Sequence, residues 1–305
     1  MMATLGHRRA RGRAGCAIGV ASLAVLATGC VGDEVKPEGR VHKYVIRGVT
    51  MPNNPQLAGE LGLLRNSSNS VINTFGRALA GRLPLEHYTR ISIEHGNQMQ
   101  LVEFQATNFE FAVSAGVTTH YAFSSTPEPC FIDSCGRHLD GNAEFDLSFD
   151  APQPMLLGHI DDGTFVSEPG TQSIALSIDG IMSFKLPLLS AQLQLKRVTE
   201  DGIGEGVISG AIPLSLLSGE FVDHIVFGSL DVLAECDSFD GCNCPSGSAA
   251  EMFQRAFGDA GSCVVSETDV RASAAMTALL HSDISVDGVD AVSFGIGFTA
   301  VRASY

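Results

Sequence analysis

The sequence predicts an α+β protein. It should be mainly an antiparallel β-sandwich or open curved sheet, with a short N-terminal helix and a disulfide-linked helical segment near the C-terminus. Three observations lead there. Alternation of apolar and polar residues with period two recurs in "TRISIEH", "QLVEFQA", "FEFAVSA" and "AEFDLSF" between residues 88 and 215, as half-buried strands require. Six Asp-Gly pairs, at Asp140, Asp162, Asp179, Asp201, Asp240 and Asp287, punctuate the chain and suit tight hairpin turns in which both central residues need positive φ. Four cysteines gather around a stretch of helical spacing between residues 219 and 281.

The elements follow in order. Residues 1 to 29 carry Arg8, Arg9, Arg11 and Arg13 without an acid, then the uncharged run "AGCAIGVASLAVLATG". A basic start, a short apolar stretch and a small-residue end make a secretory signal peptide. The run falls short of the ~20 apolar residues that span a bilayer. Residues 30 to 41 read as a polar tether with Pro37 and Gly39, and residues 42 to 305 as one sheet-rich domain. "HKYVIRGVTM" reads as a strand. Val71, Ile72, Phe75, Ala78, Leu79 and Leu83 share one helical face and predict a helix over 70–83.

Further on, "SIALSIDGIMSFKL" is the clearest hairpin, with Ile174, Leu176 and Ile178 answered by Met182, Phe184 and Leu186 across Asp179-Gly180. "LSAQLQLKRVTEDGIGEGVISGAIPL" predicts a second, long hairpin. Past Pro213, Phe221, Val222, Ile225, Val232 and Leu233 take helical spacing. Ser248-Ala-Ala-Glu251 and Ser266-Glu-Thr-Asp269 resemble capping boxes that open two further helices. The last twenty residues return to strand, so the sheet takes in the C-terminal segment and the helices form no separate domain.

Composition restricts the partners. The chain has 19 basic and 34 acidic residues; removing the four arginines of residues 1 to 29 leaves 15 against 34, a net of −19. Such a surface repels nucleic acid and anionic head groups. With 45% apolar and 17% charged residues, the domain can bury a full core.

Of eight cysteines, Cys16 lies in the signal and Cys30 directly after it. The other six, Cys130, Cys135, Cys236, Cys242, Cys244 and Cys263, are disulfide candidates in an exported chain. Spacing favours Cys130 with Cys135, and the remaining four among themselves. A zinc site is disfavoured because no C-x-x-C occurs.

Chemical motifs are few. The sequence holds no G-x-S-x-G, H-E-x-x-H, P-loop or dinucleotide fingerprint, and no catalytic residue is assigned. His138 and Asp140 in "CGRHLDG" are the one close His/Asp pair, and they support only an unrecognised hydrolase as a remote alternative. "SDISVDGVDAVSFGIGFTAV" admits two readings. Asp283, Ser285, Asp287 and Gly288 match the start of a calcium loop, with Asp290 as a substitute ligand. The ninth and twelfth positions are Ala291 and Phe294, where oxygens belong. A hairpin turning at Asp287-Gly288 uses every residue, so no cofactor is expected beyond a weak calcium option.

Two resemblances add to this reading. "LATGC" resembles the lipobox of bacterial lipoproteins, which implies lipid attachment at Cys30; Val31, in place of Asp, implies the outer membrane, on its periplasmic or surface face. "CGRHLDGNAEFDL", "DVLAECDSFDGCNCPSGS" and above all "LLHSDISVDGVDAVSFGIGFTAV" resemble a group of secreted myxobacterial (delta-proteobacterial) lipoproteins marked by a "DG-x-DA-x-S-x-G-x-G-F-T-A-V" segment. In that group an acidic segment precedes the first helix, where this chain has Asn66, Ser68 and Asn73. The resemblance implies an envelope address and brings no activity. The functional expectation is a non-enzymatic, lipid-anchored envelope protein, a binding or structural module held to the outer-membrane bilayer by acyl chains. The main alternative is a carrier of a lipid or other small apolar ligand on its curved sheet.

Overall fold

The computed structural model describes residues 36–66, 68–79, 82–83, 85–124, 135–148, 152–177, 183–236, 242–258 and 263–305. Cys30 with its signal segment, Cys130, and the apices Asp179-Gly180 and Asp240-Gly241 lie outside the described residues. Eleven strands occur among them: β1 (Arg40–Thr50), β2 (Met99–Ala106), β3 (Ala112–Ser124), β4 (Phe145–Leu147), β5 (Leu156–Asp161), β6 (Thr164–Ser167), β7 (Gly170–Ser177), β8 (Ser183–Thr199), β9 (Gly202–Pro213), β10 (Ile284–Val286) and β11 (Val289–Arg302). The helices are α1 (Pro55–Glu60), α2 (Thr74–Leu79), α3 (Leu85–Glu94), α4 (Leu214–Ser218), α5 (Glu220–Val232), α6 (Ala249–Phe257), α7 (Glu267–Ala272) and α8 (Ala274–Leu279). The α+β class with a curved antiparallel sheet therefore stands.

The curvature goes to completion. Strands pair in the order β1-β2-β3-β5-β6-β8-β9-β11, and β11 pairs again with β1. Every pairing in this ring is antiparallel. Eight strands thus close into a barrel, a size whose interior side chains just fill. Register shifts in β1 at Ile46/Gly48, in β11 at Phe298/Ala300 and in β8 at Leu189/Gln192 supply the bending that closure needs. Alternate residues of the ring, among them Tyr44, Ile46, Val102, Phe104, Val117, Phe165, Leu195, Ile208, Phe294 and Phe298, join one continuous buried cluster. The Tyr44 hydroxyl crosses to donate to the Thr199 carbonyl at 2.7 Å. Burial, with Glu200 and Asp201 nearby, pushes its pKa well up.

The Asp-Gly pairs divide. Asp162-Gly163 and Asp287-Gly288 both have positive φ (46° and 67°, 51° and 81°) and form the β5–β6 and β10–β11 turns as predicted. At Asp201-Gly202 the turn slips by one: Thr199 pairs with Gly202, so Glu200-Asp201 makes the loop. Gly202 instead permits close approach, since a Cβ there would lie 2.4 Å from the Ala300 carbonyl oxygen. Asp140-Gly141 ends a 3-10 turn (Arg137–Leu139).

Two other expectations are corrected. "TRISIEH" is helical, the end of α3, although its apolar residues alternate. Among the described residues, the helix expected over 70–83 covers Thr74–Leu79; it starts late because Val71 pairs with Arg65 in an isolated bridge and the Asn73 side chain accepts from Gly76 N at 3.0 Å. The described residues of the 219–281 segment hold the expected helices, α5 to α8, and Ser266 with Asp269 forms a full capping box. Ser248 caps α6 on its own side, while Glu251 reaches back to Gly247 N rather than to Ser248.

β7 departs from the ring, pairing only with the first half of β8. Ile174 and Leu176 meet Leu186 and Phe184 there, all buried. Side chains serve its other edge: Gln98 Nε2 donates to the Ala175 carbonyl (2.6 Å) and Gln100 Nε2 to that of Ser173 (3.0 Å). Gln153 brackets Ser173 through both its amide groups, and Thr89 bonds the backbone of Ser177 in both directions. Gln100 is in phase with Val102 and Phe104 on the inner face of β2, and Gln98 stands one residue before the strand in the same phase. β7 therefore lies across one mouth of the barrel.

Candidate functional site

At that mouth β1 parts from β11. Their pairing ends at Thr50↔Gly297, and Met51 and Pro52 lead the chain away. α2 and α3 fill the gap and leave a half-open cleft of about 360 Å³. Met51, Phe75, Leu79, Leu83, Leu85 and Ile296 make its apolar floor; Asn53, Glu86, His87 and Arg90 make its rim.

The site is fixed by polar anchors. Buried Asn73 donates to the carbonyls of Ala58 (3.2 Å) and Gly295 (2.9 Å), tying α1 and α2 to β11. Gly295 accommodates this crossing, since a Cβ would stand 2.2 Å from the Leu61 carbonyl oxygen. Gly76 likewise lets α2 press on Pro52, whose Cγ would be 2.2 Å from a Cβ. Thr74 N donates to Ser293 Oγ (2.8 Å), and the Thr74 hydroxyl donates to Asp283 Oδ2 (2.6 Å). On α3, Glu86 Oε2 accepts from Met51 N at 2.8 Å. Glu86 stands in the first helical turn, where the helix dipole favours a negative charge. The floor continues into the core: the Phe75 ring lies 5.3 Å from that of Phe294 and 5.6 Å from that of Phe221.

On the rim, Arg90 Nη1 pairs with Glu94 Oε1 at 2.9 Å, one helical turn on. Its Nη2 faces His87 Nδ1 at 3.4 Å. Guanidinium only donates, so that contact requires His87 Nδ1 to be bare and the ring proton to sit on Nε2.

The residues singled out from sequence lie elsewhere. Asp283 spends its carboxylate on Thr74 and on Ser293, whose amide and hydroxyl both donate to it. Ser285 pairs with Asp290 across the β10–β11 ladder, and Asp287 sits at the turn. The calcium-like set is thus the closing hairpin, with Asp283 as its clasp onto α2. His138 Nε2 meets the Ile93 carbonyl at 2.9 Å, and burial, partly opposed by that carbonyl, lowers its pKa. Asp140 accepts from Asn142 N, and among the described residues no hydrogen bond joins it to His138.

Cys236–Cys244 and Cys242–Cys263 are disulfides, and Cys135 is disulfide-bonded too. The sulfurs of Cys236, Cys242 and Cys263 lie within 4.8 Å of one another, but as disulfides they offer no thiolate to a metal. No helix among the described residues is long and apolar enough to cross a membrane.

Comparison with models of known protein families, with curated proteins and with solved structures gave no match. The cleft is therefore read from its own chemistry. Phe75, Leu79 and Leu83 were legible as an apolar helical face. That they floor a cleft was not, because the departure of β1 from β11 has no local signal. Glu86, His87 and Arg90 carried no local signal either: Arg90 lies in "TRISIEH", which alternates like a strand, and Glu86 and His87 stand just before it.

Proposed function

We propose that this chain is a non-enzymatic binding protein of the cell envelope, lipid-anchored at Cys30 to the outer membrane, that holds a small apolar molecule in the mouth cleft. One observation carries the binding reading: a concave apolar floor of Met51, Phe75, Leu79, Leu83 and Leu85, set at the bottom of a cleft with polar rim groups. Binding sites have this composition and lie in this size range, ~300–1,000 Å³. Side chains fill the barrel interior, which supports the mouth over the interior for the ligand of the carrier reading. At about 30 Å³ per water-sized group, the cleft holds about a dozen non-hydrogen atoms. The address is supported by the lipobox-like "LATGC" and by the resemblance to secreted myxobacterial lipoproteins. Several acyl chains would hold the protein stably, where one chain binds only marginally.

The test is a series of 1-alkanols from hexanol to tetradecanol, titrated against the full Cys30→Ser chain. Affinity should climb about four-fold per methylene, as ~0.8 kcal/mol of burial implies, and level off near decanol to dodecanol. A series without slope would overturn the binding reading. Palmitate incorporation into the wild-type chain, lost in Cys30→Ser, tests the anchor.

A further inference from the structure

We infer that the cleft selects an anionic amphiphile, a medium-chain carboxylate whose head is received by Arg90 and His87 while its tail lies on the Phe75–Leu79–Leu83 floor. The inference rests on the cleft being a binding site and adds the chemistry of the head group. The rim has one acid, Glu86, whose Oε2 accepts the Met51 amide and whose Oε1 stays open. Beside that oxygen the rim offers mostly donors. Arg90 brings five N–H groups, of which the contacts to Glu94 and His87 use two. His87, bare at Nδ1, carries its proton on Nε2. The Asn53 side-chain oxygen is taken by the Asn54 amide at 2.7 Å, leaving its own NH₂ to donate.

Charge agrees with this count. In a chain with 34 acids and 19 bases, α3 and the turn before it run slightly the other way, with Arg77, Arg82 and Arg90 against Glu86 and Glu94 over residues 77–94. An ammonium head could use only Glu86 Oε1 and would meet the charge of Arg90 and N–H groups from which it cannot accept. An alcohol would satisfy donors but gain no charge-assisted bond, and such bonds are roughly twice as strong as neutral ones. Arg90 is also held in place before any ligand arrives, because the Glu94 pair and the His87 contact align its fork along α3, which reduces what binding must order.

The test compares decanoate, 1-decanol and decylammonium at pH 8 on the full Cys30→Ser chain and on the same chain carrying Arg90→Gln. Decanoate is expected to bind about tenfold tighter than decanol, with decylammonium weakest. Arg90→Gln should bring decanoate down about tenfold and lower decanol far less, with an unchanged urea midpoint, which separates loss of the head contact from loss of the fold. Decanoate no tighter than decanol, or a decanoate affinity indifferent to Arg90→Gln, would overturn the inference while leaving apolar binding intact. Failure of all three ligands to bind would remove the binding reading itself, and the inference with it.

Discussion

Asp283 carries more of the architecture than its place in a loop-like segment suggests. Its carboxylate accepts the hydroxyls of Thr74 and Ser293 and the Ser293 amide. Ser293 is fully buried, so an unanswered donor there has no water to turn to. Removing the acceptor leaves these groups desolvated, at roughly 1–3 kcal/mol for such a loss. We expect Asp283→Ala to destabilise the protein by about 2–3 kcal/mol in urea unfolding, and to loosen α2 at its start. Millimolar calcium in place of chelator should leave the wild-type melting temperature where it is; a rise would show linked binding and restore the metal reading of Asp283, Ser285, Asp287 and Asp290. From sequence, Asp287-Gly288 was readable as a turn because its chemistry is local. The partners of Asp283 were not, since Thr74 stands 209 residues away.

α3 and β7 show where element-level reading succeeds and fails. The face of α3 that packs inward holds Leu85, Thr89, Ser92 and Ile93. Their spacing is helical, but two of the four are polar, so a search for apolar period 3.6 passes over them and finds only alternating Ile91 and Ile93. Thr89 is buried there because its hydroxyl serves the Ser177 backbone. The same principle holds for β7, whose exposed edge would otherwise invite pairing with another chain. Glutamine amides reproduce the donors and acceptors of a neighbouring strand. Gln98 is 5% exposed and gives Ala175 its bond. Gln98→Met, similar in length and without that donor, should cost about 1–3 kcal/mol, seen as a lower urea midpoint. Were β7 held by its apolar face alone, the midpoint would stay put. Strand alternation was legible in β8, where Leu186, Leu188, Ala191, Leu193 and Leu195 are buried and their neighbours are not; β9 and β11 bury seven and eight consecutive residues, and the glutamines read as ordinary polar positions.

At the scale of the molecule, ring closure joins the two ends of the sheet, residues 40–50 and 289–302, a pairing no local pattern announces. It also separates two regions. The chain enters at the Arg40 end of β1, near Gly39, while the cleft opens where β1 ends at Thr50. Eleven strand residues place about 35 Å between them. The disulfides Cys236–Cys244 and Cys242–Cys263 tie the helical segment to itself and not to the ring. Barrel and helical cap should therefore differ in their response to losing a crosslink. The Cys242–Cys263 bond closes a loop with a sequence separation of 21, worth about 3 kcal/mol in chain entropy. At about 2–4 °C per kcal/mol for a domain of this size, the Cys242→Ser, Cys263→Ser double variant should melt about 6–12 °C lower. Hydrogen exchange should locate the change, with protection falling across residues 233–272 and holding in β1, β9 and β11. Equal loss in those strands would mean that barrel and cap unfold as one unit, with the cap bracing the cleft through the Phe221–Phe75 contact.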